Sequence, residues 1–268
     1  MPSALVPISG RPLFVETTGT GPPFLALHGL GGSTNLFPLA DALGEKYTVI
    51  RFDFEGSGKS PLTVEKEEGG GKLGMEGFVE DVKGVLEWAG KGGEKAIVFG
   101  HSMGSLVALH FAAKYPELGS NLILSCPSPA RAGDPAAVQA TLDLARMSRE
   151  KTPMNMADFT ANKNTAPNAS LLARTLIRTV MQESSPSGYA KTCEMLARTP
   201  SPEWDRIGAR VLVIAGNEDK ISSVEAAERV AACLTSADSV KLVAVDAGHQ
   251  PAVEIPEVVL SLLSDFLP

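Results

Sequence analysis

Long apolar runs are absent from this 268-residue sequence, and so is any excess of basic charge. No stretch approaches the roughly 18 apolar residues that cross a bilayer as a helix, so no membrane association is expected. Twenty-four Lys and Arg against 31 Asp and Glu leave a net charge of −7. The clustered cations that grip a nucleic-acid backbone are therefore missing, which excludes that class of partner. Cysteine is scarce: Cys126, Cys193 and Cys233 are odd in number, far apart and without metal-ligand spacing. They read as reduced thiols of a cytoplasmic protein. The opening residues, Met1 to Pro7, carry neither a basic segment nor a sustained apolar stretch, so no secretory signal is expected. Histidine is scarce as well, with four in the chain, and that scarcity narrows the search for an acid–base group.

What is present suffices for a folded core. Hydrophobic residues make up 44% of the chain, which excludes disorder over most of its length. No internal repeat is visible. One low-complexity patch, Glu65 to Lys72, reads as a mobile surface loop. The length is large for one ordinary domain and small for two.

Short apolar runs alternate with longer helical segments, the pattern of a parallel sheet wrapped by helices. Strands are expected at Phe24–Leu27, Tyr47–Phe52, Ala96–Phe99, Asn121–Ser125, Arg210–Ala215 and Val240–Val245. Helices are expected from Leu36 to Glu45, around Phe78 to Ala89, from Ser102 to Tyr115, near Val224 to Cys233 and from Pro256 to Phe266. Between Pro127 and Asp205 the alternation stops. Amphipathic segments such as Ala136–Arg149 and Leu171–Gln182 occur there without a convincing strand. The expected division is an α/β core of residues 1–126 and 206–268, with a helical cap of residues 127–205.

Gly100-His101-Ser102-Met103-Gly104 is a G-x-S-x-G sequence lying between an apolar strand and a long helix. A serine on so sharp a turn sits in strained backbone, and side chains at the flanking positions would clash. The bland alternative is a glycine turn in which Ser102 caps the helix. As a nucleophile, Ser102 needs a base to take its proton. His101 is adjacent and expected to point away, His110 reads as a buried core residue, and His28 reads as a loop-fixing residue. His249, in the loop after the last strand, falls on the same carboxyl edge of the sheet as Ser102 and is the expected base. Asp219, after the penultimate strand, is the expected partner of that imidazole; Glu218 and Asp246 are its rivals. Acyl transfer also needs oxyanion donors. The N–H of Met103, next to the nucleophile, and that of Leu30, in the glycine-rich His28–Gly32 turn, are the candidates. The chain order Ser, Asp, His differs from that of chymotrypsin or subtilisin and is the order of α/β-hydrolases.

Together, His28–Gly32, Asp53–Ser60, Gly100–Gly104, Gly216–Asp219 and Gly248-His249 resemble the α/β-hydrolase superfamily. Within it they are most similar to the 3-oxoadipate enol-lactonase and small carboxylesterase group. The resemblance covers most of the chain outside the cap. It implies an α/β-hydrolase fold with a mostly parallel central sheet flanked by helices, and a helical lid between the sixth and seventh strands. It also implies cofactor-free cleavage of a small-molecule ester or lactone by a monomer or homodimer. Haloalkane dehalogenases and epoxide hydrolases of this fold place Asp at the elbow, so Ser102 argues against both. Carbon–carbon bond hydrolases, hydroxynitrile lyases, perhydrolases and hormone receptors with vestigial hydrolysis share the apparatus. In the cap, Met147, Met154, Met156, Phe159, Leu171, Leu172 and Met181 are candidates for an apolar pocket, or for packing onto the core.

Overall fold

The computed structural model describes residues 3–63, 73–151 and 153–267. The low-complexity patch at 65–72 lies outside the described residues. Eight strands form one sheet: β1 (Ala4–Ile8), β2 (Arg11–Thr18), β3 (Pro23–Leu27), β4 (Thr48–Phe52), β5 (Ala96–His101), β6 (Gly119–Ser125), β7 (Arg210–Gly216) and β8 (Ser239–Val245). Their order is β1-β2-β4-β3-β5-β6-β7-β8. Only the β1–β2 and β2–β4 pairs are antiparallel; the rest of the sheet is parallel. The six expected strands are all present, and they are the six that make up the parallel run. All five residues of β3 and all six of β5 are buried, because helices cover both faces of the sheet.

The N-terminal hairpin β1–β2 was not expected. Its two-residue turn, Ser9-Gly10, has φ of 49° and 80°, the doubly positive geometry that matches hairpin twist. With this pair counted, Asn121–Ser125 falls in the sixth strand and Arg210–Ala215 in the seventh.

The helices are α1 (Ala40–Gly44), α2 (Met75–Trp88), α3 (Met103–Lys114), α4 (Pro135–Glu150), α5 (Pro153–Asn164), α6 (Leu171–Glu183), α7 (Pro186–Arg198), α8 (Val224–Cys233), α9 (Pro251–Glu254) and α10 (Pro256–Phe266). The helix expected from Leu36 is a 3-10 turn at Thr34–Leu36 followed by the short α1. Pro38 is the reason: it pushes Phe37 out of helical backbone, to φ −120° and ψ 77°. One apolar cluster joins one face of the sheet to α2 and α3, and a second joins the other face to α1 and α10. Four helices, α4 to α7, lie between β6 and β7. There α4 packs on α7 and α5 on α6.

Parallel register aligns the carboxyl ends of the central strands. Leu27 pairs with Gly100, His101 with Ser125, and Gly216 with Val245. The loops that follow these residues therefore share one edge.

Away from that edge, Arg11 of β2 bridges two buried carboxylates, Glu55 at 3.0 Å and Asp81 of α2. Burial pushes the Asp81 carboxyl up to about 7 even with the guanidinium beside it. Arg11→Ala leaves both carboxylates without their cation, and removing one partner of a buried pair is strongly destabilising. The expected loss is about 3 kcal/mol in urea unfolding; a loss below the range of surface substitutions would show that the bridge holds nothing.

Candidate active site

β5 ends at His101 and α3 starts at Met103, so Ser102 makes the reversal alone. Its backbone lies at φ 52° and ψ −113°, a conformation that costs a non-glycine residue of order 1–3 kcal/mol. The surroundings enforce it. A Cβ on Gly100 would lie 2.4 Å from the Gly104 carbonyl oxygen, and one on Gly104 would lie 2.3 Å from that of Leu27. The Ser102 N–H donates to Ser125 O at 2.9 Å, and Ser105 Oγ donates to Gly100 O at 2.6 Å. The Ser102 side chain makes no capping hydrogen bond to α3, which removes the cap alternative. Its hydroxyl is left free at the cavity.

His249 sits between β8 and α9, buried, with Nδ1 2.7 Å from Asp219 Oδ2. Asp219 Oδ1 accepts the N–H groups of Ile221 at 2.7 Å and Ser222 at 2.9 Å. Burial alone would raise the Asp219 pKa. The hydrogen bond and charge of His249, with the two backbone donors, outweigh it and hold the carboxylate below its ordinary value. Both rivals lie elsewhere: Glu218 is exposed, and Asp246 accepts from Asn217 Nδ2 at 2.9 Å. The Cys126 thiol lies beside the pair, with Sγ within 4.8 Å of a His249 ring nitrogen and an Asp219 carboxylate oxygen and 3.8 Å from Gly248 O. Burial pushes that thiol well above its ordinary pKa, so it stays neutral there.

Ser102, His249, Leu30 and Met103 line one cavity of about 100 Å³. Among the described residues, the N–H groups of Leu30 and Met103 donate to no protein acceptor. The loop carrying Leu30 runs tightly against the serine: a Cβ on Gly29 would lie 3.2 Å from Ser102 Cβ. The insertion closes the cavity with Leu144, Phe159 and Leu196. Of the candidate pocket residues in the cap, Phe159 is the one that lines it. Met156 and Met181 are buried in a small core of the insertion itself, with Met147 packed against it. Met154, Leu171 and Leu172 are exposed to solvent.

The other histidines divide by their contacts. His28 Nε2 accepts the Phe54 N–H at 3.0 Å, while Nδ1 donates to Gly29 O at 2.7 Å. Burial drives its pKa down to about 4. His101 Nε2 donates to His249 O at 2.6 Å, and burial, then the nearby His249, drives its pKa to about 3. His110 is half-buried and donates to Pro200 O at 3.2 Å, not the core residue its apolar neighbours suggested. The reason is position: it lies on the α3 face turned toward the end of α7, off the sheet. Arg51 and Asp53 hold the Ser33–Phe37 segment. Asp53 accepts the N–H of Thr34 at 2.6 Å and of Lys59 at 2.8 Å, and Arg51 donates to Thr34 O and Phe37 O.

Glu254 was not anticipated. Its carboxylate accepts the N–H groups of Gly248 at 3.1 Å, Gln250 at 3.0 Å and Ala166 at 2.8 Å. It thereby fixes both sides of His249 and ties that loop to the insertion. The acid stands five residues after His249, and that local spacing was the only available signal.

A profile of the alpha/beta hydrolase fold matches residues 22–194. Among curated relatives, 2-(acetamidomethylene)succinate hydrolase of Mesorhizobium japonicum is 32% identical over 122 residues, 45% of this chain and 41% of that one. Pimeloyl-[acyl-carrier protein] methyl ester esterase of Chromobacterium violaceum is 34% identical over 118 residues, 44% of this chain and 41% of its own. The chain thus spans about two-fifths of the curated relatives it matches. A malate-bound thermophilic esterase from Thermogutta terrifontis superposes with a TM-score of 0.82 at 26% identity, covering 99% of this chain and 97% of that one. The enol-lactonase from Burkholderia xenovorans superposes with a TM-score of 0.84 at 24% identity, over 99% of both, a likeness of fold.

Two outcomes are expected. His28 is neutral in the folded chain and ordinary when unfolded, so the unfolded state binds the extra proton between pH 6.5 and about 4. Stability present above pH 6.5 is lost on acidification through that window. His28→Asn should flatten this decline by up to about 3 kcal/mol in urea titrations at stepped pH; an unchanged slope would assign the decline to other groups. Glu254→Ala strips three N–H groups of their acceptor and should cost about 2 kcal/mol of stability. It should also lower kcat more than it raises KM, because the imidazole loop loses its anchor; a stability loss with normal kcat would limit Glu254 to a structural role.

Proposed function

This chain belongs to the alpha/beta hydrolase fold family, and from that premise we propose that it is a serine hydrolase of small carboxylic esters or lactones. One observation carries the reading. A strained, uncapped serine, an aspartate-held imidazole and two unpaired backbone N–H groups meet around one small cavity. Two of the relatives, by name, act as esterases. In this reading the elements α4 to α7 form a cap, residues 127–205, over a core of residues 1–126 and 206–268.

The division of labour follows from the contacts. Ser102 Oγ attacks the carbonyl carbon while His249 Nε2 takes its proton; Nδ1 cannot, because Asp219 holds it. Asp219 fixes the tautomer and stabilises the imidazolium. The N–H groups of Leu30 and Met103 receive the oxyanion as the carbonyl becomes tetrahedral. His249 then returns the proton to the leaving alkoxide, giving the alcohol and an acyl-Ser102. Water attacks that ester with His249 again as base, releasing the carboxylic acid and restoring the serine. With a lactone, the alcohol and the acid are two ends of one product.

A fluorophosphonate probe should label Ser102, and Ser102→Ala should lose roughly 10³-fold or more in kcat on p-nitrophenyl acetate. Undiminished turnover by that variant, or labelling elsewhere, would overturn the assignment. A cavity of about 100 Å³ is well below the roughly 300 Å³ at which drug-sized sites begin. Acetyl to butyryl esters should accordingly exceed octanoyl esters in kcat/KM by roughly tenfold or more.

A further inference from the structure

Among the described residues, the cavity beside Ser102 is lined by two cations, Arg131 and Lys163, and by no Asp or Glu. In a chain carrying seven more acidic than basic residues, this local balance runs against the composition. Lys163 stands on the exposed rim with its ammonium 5.4 Å from the Phe159 ring centroid. Arg131 lies deeper. Its Nη1 donates to Thr141 Oγ1 at 2.6 Å, and that hydroxyl spends its own proton on Ala137 O. The guanidinium is therefore held in place by α4 through a neutral acceptor.

Arg131 has no carboxylate partner among the described residues. It takes part in no ion pair among the described residues, whereas Arg146 and Arg149 nearby on α4 meet Asp143 and Glu194. The titratable groups that face it are Cys193 and Tyr189. Burial raises the pKa of both, the thiol to about 12, so neither offers negative charge near neutral pH. Burial is also the largest influence on Arg131 and pulls its own pKa below the ordinary value. A cation taken from water without a counterion is unfavourable, and a planar fork with unused donors suits a carboxylate above other anions of similar size.

We propose that Arg131 is a specificity-determining residue that binds a free carboxylate on the substrate. The preferred substrates are then short esters or lactones bearing a second, ionised carboxyl group, of the size of a glutarate half-ester. The rate effect rests on the hydrolase reading above; the binding of a carboxylate does not. Lys163 at the rim adds attraction for the incoming anion without contributing a buried pair.

The test compares methyl hydrogen glutarate with methyl pentanoate, which has the same acyl length and lacks the charge, by pH-stat at pH 7. The wild-type protein should favour the half-ester by roughly tenfold or more in kcat/KM. Arg131→Gln should bring that ratio down by roughly tenfold or more, and Arg131→Lys should fall between. A wild-type ratio of one or less, or a ratio unmoved by Arg131→Gln, overturns the proposal while leaving the hydrolase reading intact. Should neither ester be turned over above the Ser102→Ala background, the hydrolase reading fails, and calorimetric titration of Ser102→Ala with glutarate decides the carboxylate site. Binding that exceeds that of neutral glutaramide and is lost with Arg131→Gln sustains it; equal or absent binding overturns it. If Arg131→Gln does not fold, the same glutarate-against-glutaramide comparison on the Arg131-containing protein decides by itself.

Discussion

Ser102 occupies a backbone conformation that no neighbour would choose for it, and the central part of the fold is arranged so that it has no other. The strain of φ 52°, ψ −113° is local; what holds it is not. β5 is buried over its whole length, and ten of the twelve residues of α3 are buried. A strand and a helix so deeply packed cannot shift to relax one residue between them, because core packing resists displacement. Bare glycines on both sides let β3 and α3 approach within contact distance, closing the alternative paths. The strain is thus offset by burial far larger than itself. Cys126, the residue that follows the adjacent strand β6, also has a positive φ, 49°, and its N–H donates to Ile214 O at 2.7 Å.

The insertion is part of that construction. The His249 N–H donates to Asn164 O at 2.7 Å, Ser184 Oγ donates to Gly31 O at 2.9 Å, and Ala166 shares the Glu254 carboxylate with the histidine loop. One group of helices therefore holds both the loop of His249 and the loop carrying Leu30. The segment that shapes the cavity also sets the positions of the groups proposed to react. A shift of α5 or α6 would be felt at the imidazole as well as at the pocket wall, which couples selectivity to rate.

The parallel strands were legible because a strand covered on both faces reads as an unbroken apolar run. The same holds for the G-x-S-x-G elbow, whose chemistry demands small residues at fixed spacing. The residues proposed to act were read from their places at strand ends, and parallel register brings those ends together. The β1–β2 hairpin escaped because Pro7 and Pro12 interrupt its pattern, although Ser9-Gly10 carried a turn signal. His110 looked buried because periodicity names a helix face without naming what covers it. Arg131 and most of the role of Glu254 were hidden for a deeper reason. Their roles consist of hydrogen bonds to Ala166 and Thr141, or of an ion pair left unmade, and such facts exist only once the insertion has docked.

With four histidines and one free imidazole, proton chemistry at this edge has few outlets. His28 must be neutral to accept the Phe54 N–H, and protonation would break the bond that holds the loop before Leu30 to the Asp53 turn. The ring of His101 meets that of His249 edge-on at 4.9 Å, close enough to compete for a proton. It does not compete, because burial and the neighbouring imidazole both oppose its charged form. Its Nε2–H is instead spent on the backbone of His249. His110 is remote from the cavity. Each of these arrangements disfavours a second cation beside His249. The two buried rings thus stay neutral beside the cavity, which leaves the proposed acid–base role to His249, the one imidazole held by a carboxylate.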